Sequence, residues 1–476
     1  MDDCCAPKGG QYDLAVVGAG SAGFSAAITA ADAGATVALI GHGTIGGTCV
    51  NVGCVPSKAM IRGVEIMHQT RAAQRFDGVR ATAEITDWAA LVRQKQQLVD
   101  DLRAAKYIDV LPSYPNVTYI EGKARLMPDG TLTVGGEPIA AAKIIIATGS
   151  RPHVPAIAGL DAVDWLDSTR ALELEELPES LVVMGGGFIG VELAQMFARA
   201  GSRVTLVTRR GLLPGAEPEI SAALTSSFTE EGIRVFDGLR YNAVAANDRG
   251  MTLQATTRDG EDIAFSARRL LLATGRVANT DGLGLDDAGV MTDARAAIVT
   301  DPMMRTTRDG IYAAGDVTGR DQFVYMAAYG ARLAATNAIG AGDALTYDND
   351  GMPSVVFSDP QLASVGLTEA QARKAGHDVV TSVLPLEHVP RALAARDVRG
   401  LIKLVAERGS KRLLGAHVLA PEGADTIQTA ALAVRAGMTY EDLGATIFPY
   451  LTTVEGLKLA AQTFEKDVAK LSCCAG

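Results

Sequence analysis

Positive charge is in short supply in this chain: 44 Lys and Arg stand against 55 Asp and Glu, a net charge of −11. Nucleic-acid binding needs clustered cations to neutralise phosphates, and anionic membrane surfaces make the same demand, so neither is expected as a main partner. Long hydrophobic runs are scarce as well. Residues 14–31, LAVVGAGSAGFSAAITAA, are uncharged and approach the roughly 20 residues of a membrane span. Three glycines near the start and few large side chains make the stretch read as strand, tight turn and buried helix. The N-terminal MDDCCAPKGG lacks the basic region of a secretory signal, which points to the cytoplasm. Cysteine is sparse but paired: Cys4 with Cys5, Cys49 with Cys54, Cys473 with Cys474. In a reducing compartment such pairs suggest metal or redox chemistry rather than structural staples.

At 476 residues the chain exceeds one hydrophobic core and is expected to hold roughly two to four domains. Two segments share a pattern: residues 12–41, with Gly18, Gly20 and Gly23, and residues 180–209, with Gly185, Gly187 and Gly190. Each is an apolar strand, a Gly-x-Gly-x-x-Gly turn, a helical run and a second β-branched strand. Such glycines give a tight turn, close backbone approach to a pyrophosphate and close helix–strand packing. The phosphates then face the unpaired N–H groups of a helix N-terminus. Two copies in the same context predict two dinucleotides on one chain.

KIIIATGS (143–150, with Thr148 and Gly149) and RLLLATGR (269–276, with Gly275) each read as a strand running into Ala-Thr-Gly. IYAAGD reads as a strand ending at Asp316, whose carboxylate can accept ribityl or ribose hydroxyls, and a helical run follows it. Residues 84–110 read as an exposed amphipathic helix. From about residue 352 the texture becomes that of an antiparallel sheet with helical runs at 423–437 and 453–470.

The most specific stretch is GGTCVNVGCVPSK, residues 46–58, with Gly47, Thr48, Cys49, Cys54 and Lys58. A helix starting here would stabilise a thiolate at its N-terminus, and Lys58 would add positive charge. A zinc site would need a second Cys or His pair at suitable spacing, and there is none.

These motifs resemble those of the pyridine nucleotide–disulfide oxidoreductases from about residue 11 to the end. The resemblance implies an α/β fold: two Rossmann-like dinucleotide-binding domains, for FAD and NADPH, plus a C-terminal α+β dimerisation domain. The expected division is a tail at 1–10, FAD-binding segments at 11–150 and 276–350, an NADPH-binding domain at 151–275, and a dimerisation domain with a Cys-Cys tail at 351–476. It further implies that Cys54 lies against the flavin as thiolate, that Cys49 is the outer, exchanging thiol, and that Lys58 and Glu192 pair beside the flavin. The nicotinamide choice rests on the residues themselves. An acid ending the second strand of the repeat would bind the 2′-OH of NAD, whereas here Arg209 and Arg210 follow VTLVT and favour a 2′-phosphate, hence NADPH. By the same logic the FAD ribose lacks an acid, because Gly41 and His42 follow VALI. Backbone groups, His42 or water are expected to substitute.

Disulfide reductases of the family carry a His and a Glu near the C-terminus. Here FPYLTTVEG keeps Glu455 but places Tyr450 where the histidine belongs, and a phenol of pKa near 10 is a poor proton shuttle for a leaving thiol. Adjacent Cα atoms about 3.8 Å apart make a Cys473–Cys474 disulfide strained, while two free thiolates suit a soft metal ion. Within the family, AKYIDVL around Tyr107, VPRALA, FPYLTTVEGLKLAAQTFEKDV and LSCCAG resemble the mercuric ion reductases. That resemblance implies Hg(II), arriving as thiol complexes, as the substrate. Cys473 and Cys474 of one chain would pass the metal to Cys49 and Cys54 of the other in a homodimer with shared sites, with Tyr107 and Tyr450 flanking it. The N-terminal Cys-x-x-Cys domain frequent in that branch is expected to be missing, and Cys4 and Cys5 to belong to a tail. A thioredoxin or small-disulfide reductase with a terminal relay, and a flavoprotein that sequesters soft metals without turnover, are the rival readings.

Overall fold

The computed structural model describes residues 11–468. The pairs Cys4–Cys5 and Cys473–Cys474 lie outside the described residues.

Leu14–Val17, Val37–Ile40 and Ile144–Ile146 are β-branched or aliphatic without polar alternation, the pattern of strands covered on both faces. They lie inside a five-stranded parallel sheet in the order Ile311–Ala313, Ala141–Ile146, Tyr12–Val17, Val37–Gly41, Val117–Glu121. The edge strand Ile311–Ala313 returns to this sheet after a second unit intervenes. One face carries the helices Ser21–Asp32 and Val324–Ile339, whose alanines Ala27, Ala30, Ala331 and Ala334 let the two backbones approach closely. The other face is closed by a small antiparallel sheet through Leu126, Leu132 and Val134.

The second unit repeats the plan with four parallel strands, ordered Arg234–Phe236, Arg203–Val207, Ser180–Met184, Arg269–Leu272. Its helices Phe188–Ala200 and Pro218–Glu230 pack on one face and a three-stranded meander on the other. The third unit is a five-stranded antiparallel sheet in the order Pro353–Val356, Gln361–Gly366, Leu413–Ala420, Leu401–Glu407, Val379–Pro385, covered by the helices Gly423–Arg435 and Glu455–Gln462.

Buried charges tie the units together. Lys403 of the antiparallel sheet lies 2.9 Å from Glu217 and 2.9 Å from Glu219 of the second unit and 3.0 Å from Glu369. Arg199 reaches Glu231 at 2.6 Å and Asp359 at 2.9 Å.

Two helices differ from their sequence expectation. The 84–110 run becomes the helix Trp88–Arg103, because Asp87 caps it by accepting the Ala90 N–H at 2.9 Å. Ala104–Ile108 then continue as a π-turn. Trp88, Val92, Lys95 and Val99 form a buried stripe, so the helix is not simply exposed. The 453–470 run is helical only over Glu455–Gln462, and the described residues after it form a turn.

Candidate active site

Cys54 is the first residue of the long helix Cys54–Ala72, and Cys49 sits on the preceding short helix Gly47–Asn51. Both cysteines are unbridged. The Cys49 thiol donates a hydrogen bond to the Cys54 sulfur, which lowers the Cys54 pKa to about 7, with Lys58 assisting and Glu192 opposing. The same contact, burial and the neighbouring charge push Cys49 upward. Of the two sulfurs, Cys54 is thus the one that ionises first. Gly46 and Gly47 explain the position of this segment. Gly46 donates its N–H to the Ala19 carbonyl at 2.8 Å, and a Cβ on Gly47 would lie 2.6 Å from the Gly20 Cα. The redox segment thus rests directly on the first glycine turn.

Lys58 follows Cys54 by one helical turn, and its Nζ lies 2.7 Å from Oε2 of Glu192 on the helix Phe188–Ala200. The other Glu192 oxygen accepts the Phe357 N–H at 2.9 Å. Tyr107 lies on the π-turn, its hydroxyl 3.1 Å from Ser21 Oγ and its ring edge-on to Phe24. Burial, then the charges of Cys49 and Cys54, raise its pKa, so the phenol stays protonated beside the thiols.

A cavity of about 1580 Å³ runs from the first glycine turn past Cys49 and Cys54 to Lys58 and Glu192. That exceeds the roughly 300–1,000 Å³ of an ordinary small-molecule pocket, as an extended dinucleotide requires. Gly18, Gly20, Gly47, Thr48, Thr148, Gly149 and Asp316 line it. Gly23 does not. It faces the Gly18 carbonyl, where any Cβ would collide, and so serves helix–strand packing. The helix Ser21–Asp32 begins without a side-chain cap, leaving N–H groups open toward a pyrophosphate. Asp316 lies on a turn after its strand rather than at the strand end, and its carboxylate accepts the Ser150 hydroxyl at 2.6 Å. These features fit FAD.

The second glycine turn has the same construction. A Cβ on Gly185 would strike the Ala273 carbonyl and one on Gly190 the Gly185 carbonyl, whereas one on Gly187 would project into open space. The helix Phe188–Ala200 also begins uncapped. Arg209 and Arg210 are exposed just past the strand Arg203–Val207. Gly275, at φ +115°, accepts the His153 N–H at 2.9 Å. This cradle, with Arg209 and Arg210 exposed after the neighbouring strand, fits NADPH.

Tyr450 and Glu455 do not join the cavity of their own chain. Tyr450 is half exposed, on a loop with the exposed Ile447 and Leu451. Glu455 is buried, and its carboxylate accepts the Leu451 N–H at 3.2 Å. Leu451 has φ +61°, a costly backbone for a branched residue, so Glu455 fixes this loop.

Sequence reading missed Arg276, which lines the cavity and donates to Ser150 Oγ and to the Ser150 carbonyl, each at 2.7 Å, 3.9 Å from Asp316. Its place directly after the second Ala-Thr-Gly was the available signal. Phe357 and Ser21 carried no local signal.

Two family models match the chain: pyridine nucleotide-disulphide oxidoreductase over residues 12–336, and the dimerisation domain of the same family over residues 352–461. A mercuric reductase of Streptomyces lividans is 49% identical over 474 residues, 98% of each chain. One from Shigella flexneri is 48% identical over 98% of this chain and 83% of its own, and one from Staphylococcus aureus 45% over 98% and 85%. Among solved structures, the HOCl-induced flavoprotein disulfide reductase RclA of Escherichia coli is similar, with a TM-score of 0.82 and 33% identity over 95% of this chain and 99% of its own. The chain belongs to the pyridine nucleotide-disulphide oxidoreductase family.

Proposed function

We propose that the protein is an FAD- and NADPH-dependent mercuric reductase, carrying out NADPH + Hg(II) → NADP⁺ + H⁺ + Hg(0). The observation that carries this reading is the placing of Cys49 and Cys54 together on the wall of a dinucleotide cavity, in a chain 49% identical to a mercuric reductase over 98% of its length. Bound FAD supplies the chemistry that takes a hydride from NADPH and hands on an electron pair.

The chain's residues supply the rest. Gly18, Gly20 and the helix that Gly23 packs behind them hold the FAD pyrophosphate, with Gly47, Thr48, Thr148, Gly149 and Asp316 along its length. Gly187 gives the NADPH pyrophosphate its approach, Gly185 and Gly190 pack the turn behind it and Gly275 lies beside it, with Arg209 and Arg210 on the 2′-phosphate. Lys58, anchored by Glu192, keeps positive charge beside Cys54. Hg(II) sits between the sulfurs of Cys49 and Cys54, a soft ion on soft donors, and Tyr107 flanks it as a neutral phenol. No imidazole acid is needed for the reduction itself, because the electron pair goes to the metal and no substrate S–S bond is cleaved.

The dimerisation domain makes a homodimer the working form, and the exposed Ile447, Tyr450 and Leu451 give the second copy an apolar surface to cover. Tyr450, Glu455 and the terminal Cys473–Cys474 pair then serve the second copy's cavity, the pair receiving Hg(II) from small-thiol complexes. No described helix is long and apolar enough to cross a membrane, and a cytoplasmic site of action follows from the thiol chemistry.

The test is NADPH oxidation by the purified holoenzyme with HgCl₂ and excess small thiol, in parallel with oxidised glutathione. Mercury-dependent turnover with little activity on glutathione disulfide is expected. The reverse preference would make the protein a disulfide reductase.

A further inference from the structure

A dinucleotide fold of this type normally places a carboxylate at the end of its second strand, on the ribose hydroxyls. Here that position is Gly41. Its φ is not in the left-handed region, so backbone conformation does not demand glycine. Space does. A Cβ on Gly41 would lie 2.8 Å from Tyr119 Cε2 and 2.9 Å from the Ala19 Cβ, and closer still to the Tyr119 hydroxyl. Tyr119 stands on the neighbouring parallel strand, where Gly41 is in register with Glu121. Its ring leans over Gly41, so the hydroxyl occupies the room a carboxylate side chain would take. Ala19, Ile40 and His42 around this point line the cofactor cavity.

We infer that the Tyr119 hydroxyl replaces the missing acid as the hydrogen-bonding partner of the adenosine ribose of FAD. The Tyr119 hydroxyl has no hydrogen-bond partner among the described residues. A part-buried hydroxyl in that state is ready for an external one. Burial, then the charge of Glu121, raises its pKa, so it donates as a neutral phenol at every working pH. His42, also on the cavity wall, is exposed, so ordering its side chain on the ribose costs more entropy, which makes it the poorer anchor.

The inference rests on FAD occupying this cavity, and the experiment separates the two. FAD and its adenosine 2′-deoxyribose analogue are titrated into flavin-stripped protein, and binding is followed by flavin fluorescence. The expected result is that Tyr119→Phe weakens FAD about threefold to tenfold, one hydrogen bond's worth. The wild type should discriminate against the deoxy analogue and the variant should not. Gly41→Glu alone should weaken FAD, and Gly41→Glu with Tyr119→Ala should recover it, the acid returning to vacated space. Equal FAD affinity in the wild type and Tyr119→Phe, with the same discrimination against the analogue, would overturn the inference. Failure of the wild type to bind either flavin would remove the FAD reading on which it stands.

Discussion

The Lys58 ammonium lies 2.7 Å from Glu192 Oε2 and 4.8 Å above the Phe357 ring, one helical turn beyond Cys54. Three units of the fold meet at this pair, and its two members act on the thiol with opposite sign. Lys58 favours the Cys54 thiolate and Glu192 disfavours it. Lys58→Met is therefore expected to raise the Cys54 pKa and Glu192→Gln to lower it, read as the pH dependence of iodoacetamide labelling of the reduced enzyme. Lys58→Met also strands a buried carboxylate with one remaining partner, at a cost of about 1–3 kcal/mol in a denaturant titration. A shift of the same sign in both variants would contradict this account.

The hydrogen bond from Cys49 is the largest influence lowering the Cys54 pKa. Labelling of Cys54 in the reduced wild type should be half-maximal near pH 7, below the roughly 8.5 of a free cysteine. The thiolate fraction, and with it turnover, falls as pH drops through that value. Cys49→Ala should move the midpoint upward and reduce mercury turnover at least about 100-fold, because one of the two metal-binding sulfurs is lost. An unchanged midpoint in Cys49→Ala would show that the helix end and Lys58 alone set it.

Glycines of the second turn should separate into two classes. Gly187, at φ −81°, opens onto empty space. Gly187→Ala should leave stability within about 1 kcal/mol while raising KM for NADPH about tenfold or more, since the methyl occupies the pyrophosphate's approach. Gly190→Ala drives a Cβ into the Gly185 carbonyl and should cost about 1–3 kcal/mol of stability. Thermal unfolding and steady-state kinetics on both variants check the contrast.

Arg209 and Arg210 should carry the cofactor preference. Their joint replacement by alanine is expected to lower kcat/KM for NADPH by about 10- to 100-fold, the worth of one charge-assisted contact or slightly more. The value for NADH should scarcely change. Equal losses for both nucleotides would point to folding or hinge effects instead.

Local chemistry was legible in the residues. Both glycine turns and the Cys49–Cys54 segment announce themselves because a few consecutive positions do the work, and the structure brings Cys49, Cys54, Lys58 and Glu192 close to one another. What stayed hidden depends on strand order and side-chain reach. Arg276, Ser150 and Asp316 form one network from three distant segments. Tyr119 became relevant to Gly41 only once their strands were seen to be neighbours. Helix ends were misjudged where a single cap decides them, as Asp87 does for Trp88–Arg103.

The central claim is that Hg(II) is reduced at the Cys49–Cys54 pair. The most direct measurement is mercury released as vapour against NADPH consumed, with Hg(II) supplied as a small-thiol complex to wild type and Cys49→Ala. The account predicts one Hg(0) per NADPH in the wild type and none above background in the variant. NADPH consumption that proceeds on disulfides and is halted by mercury, with no vapour released, would contradict it.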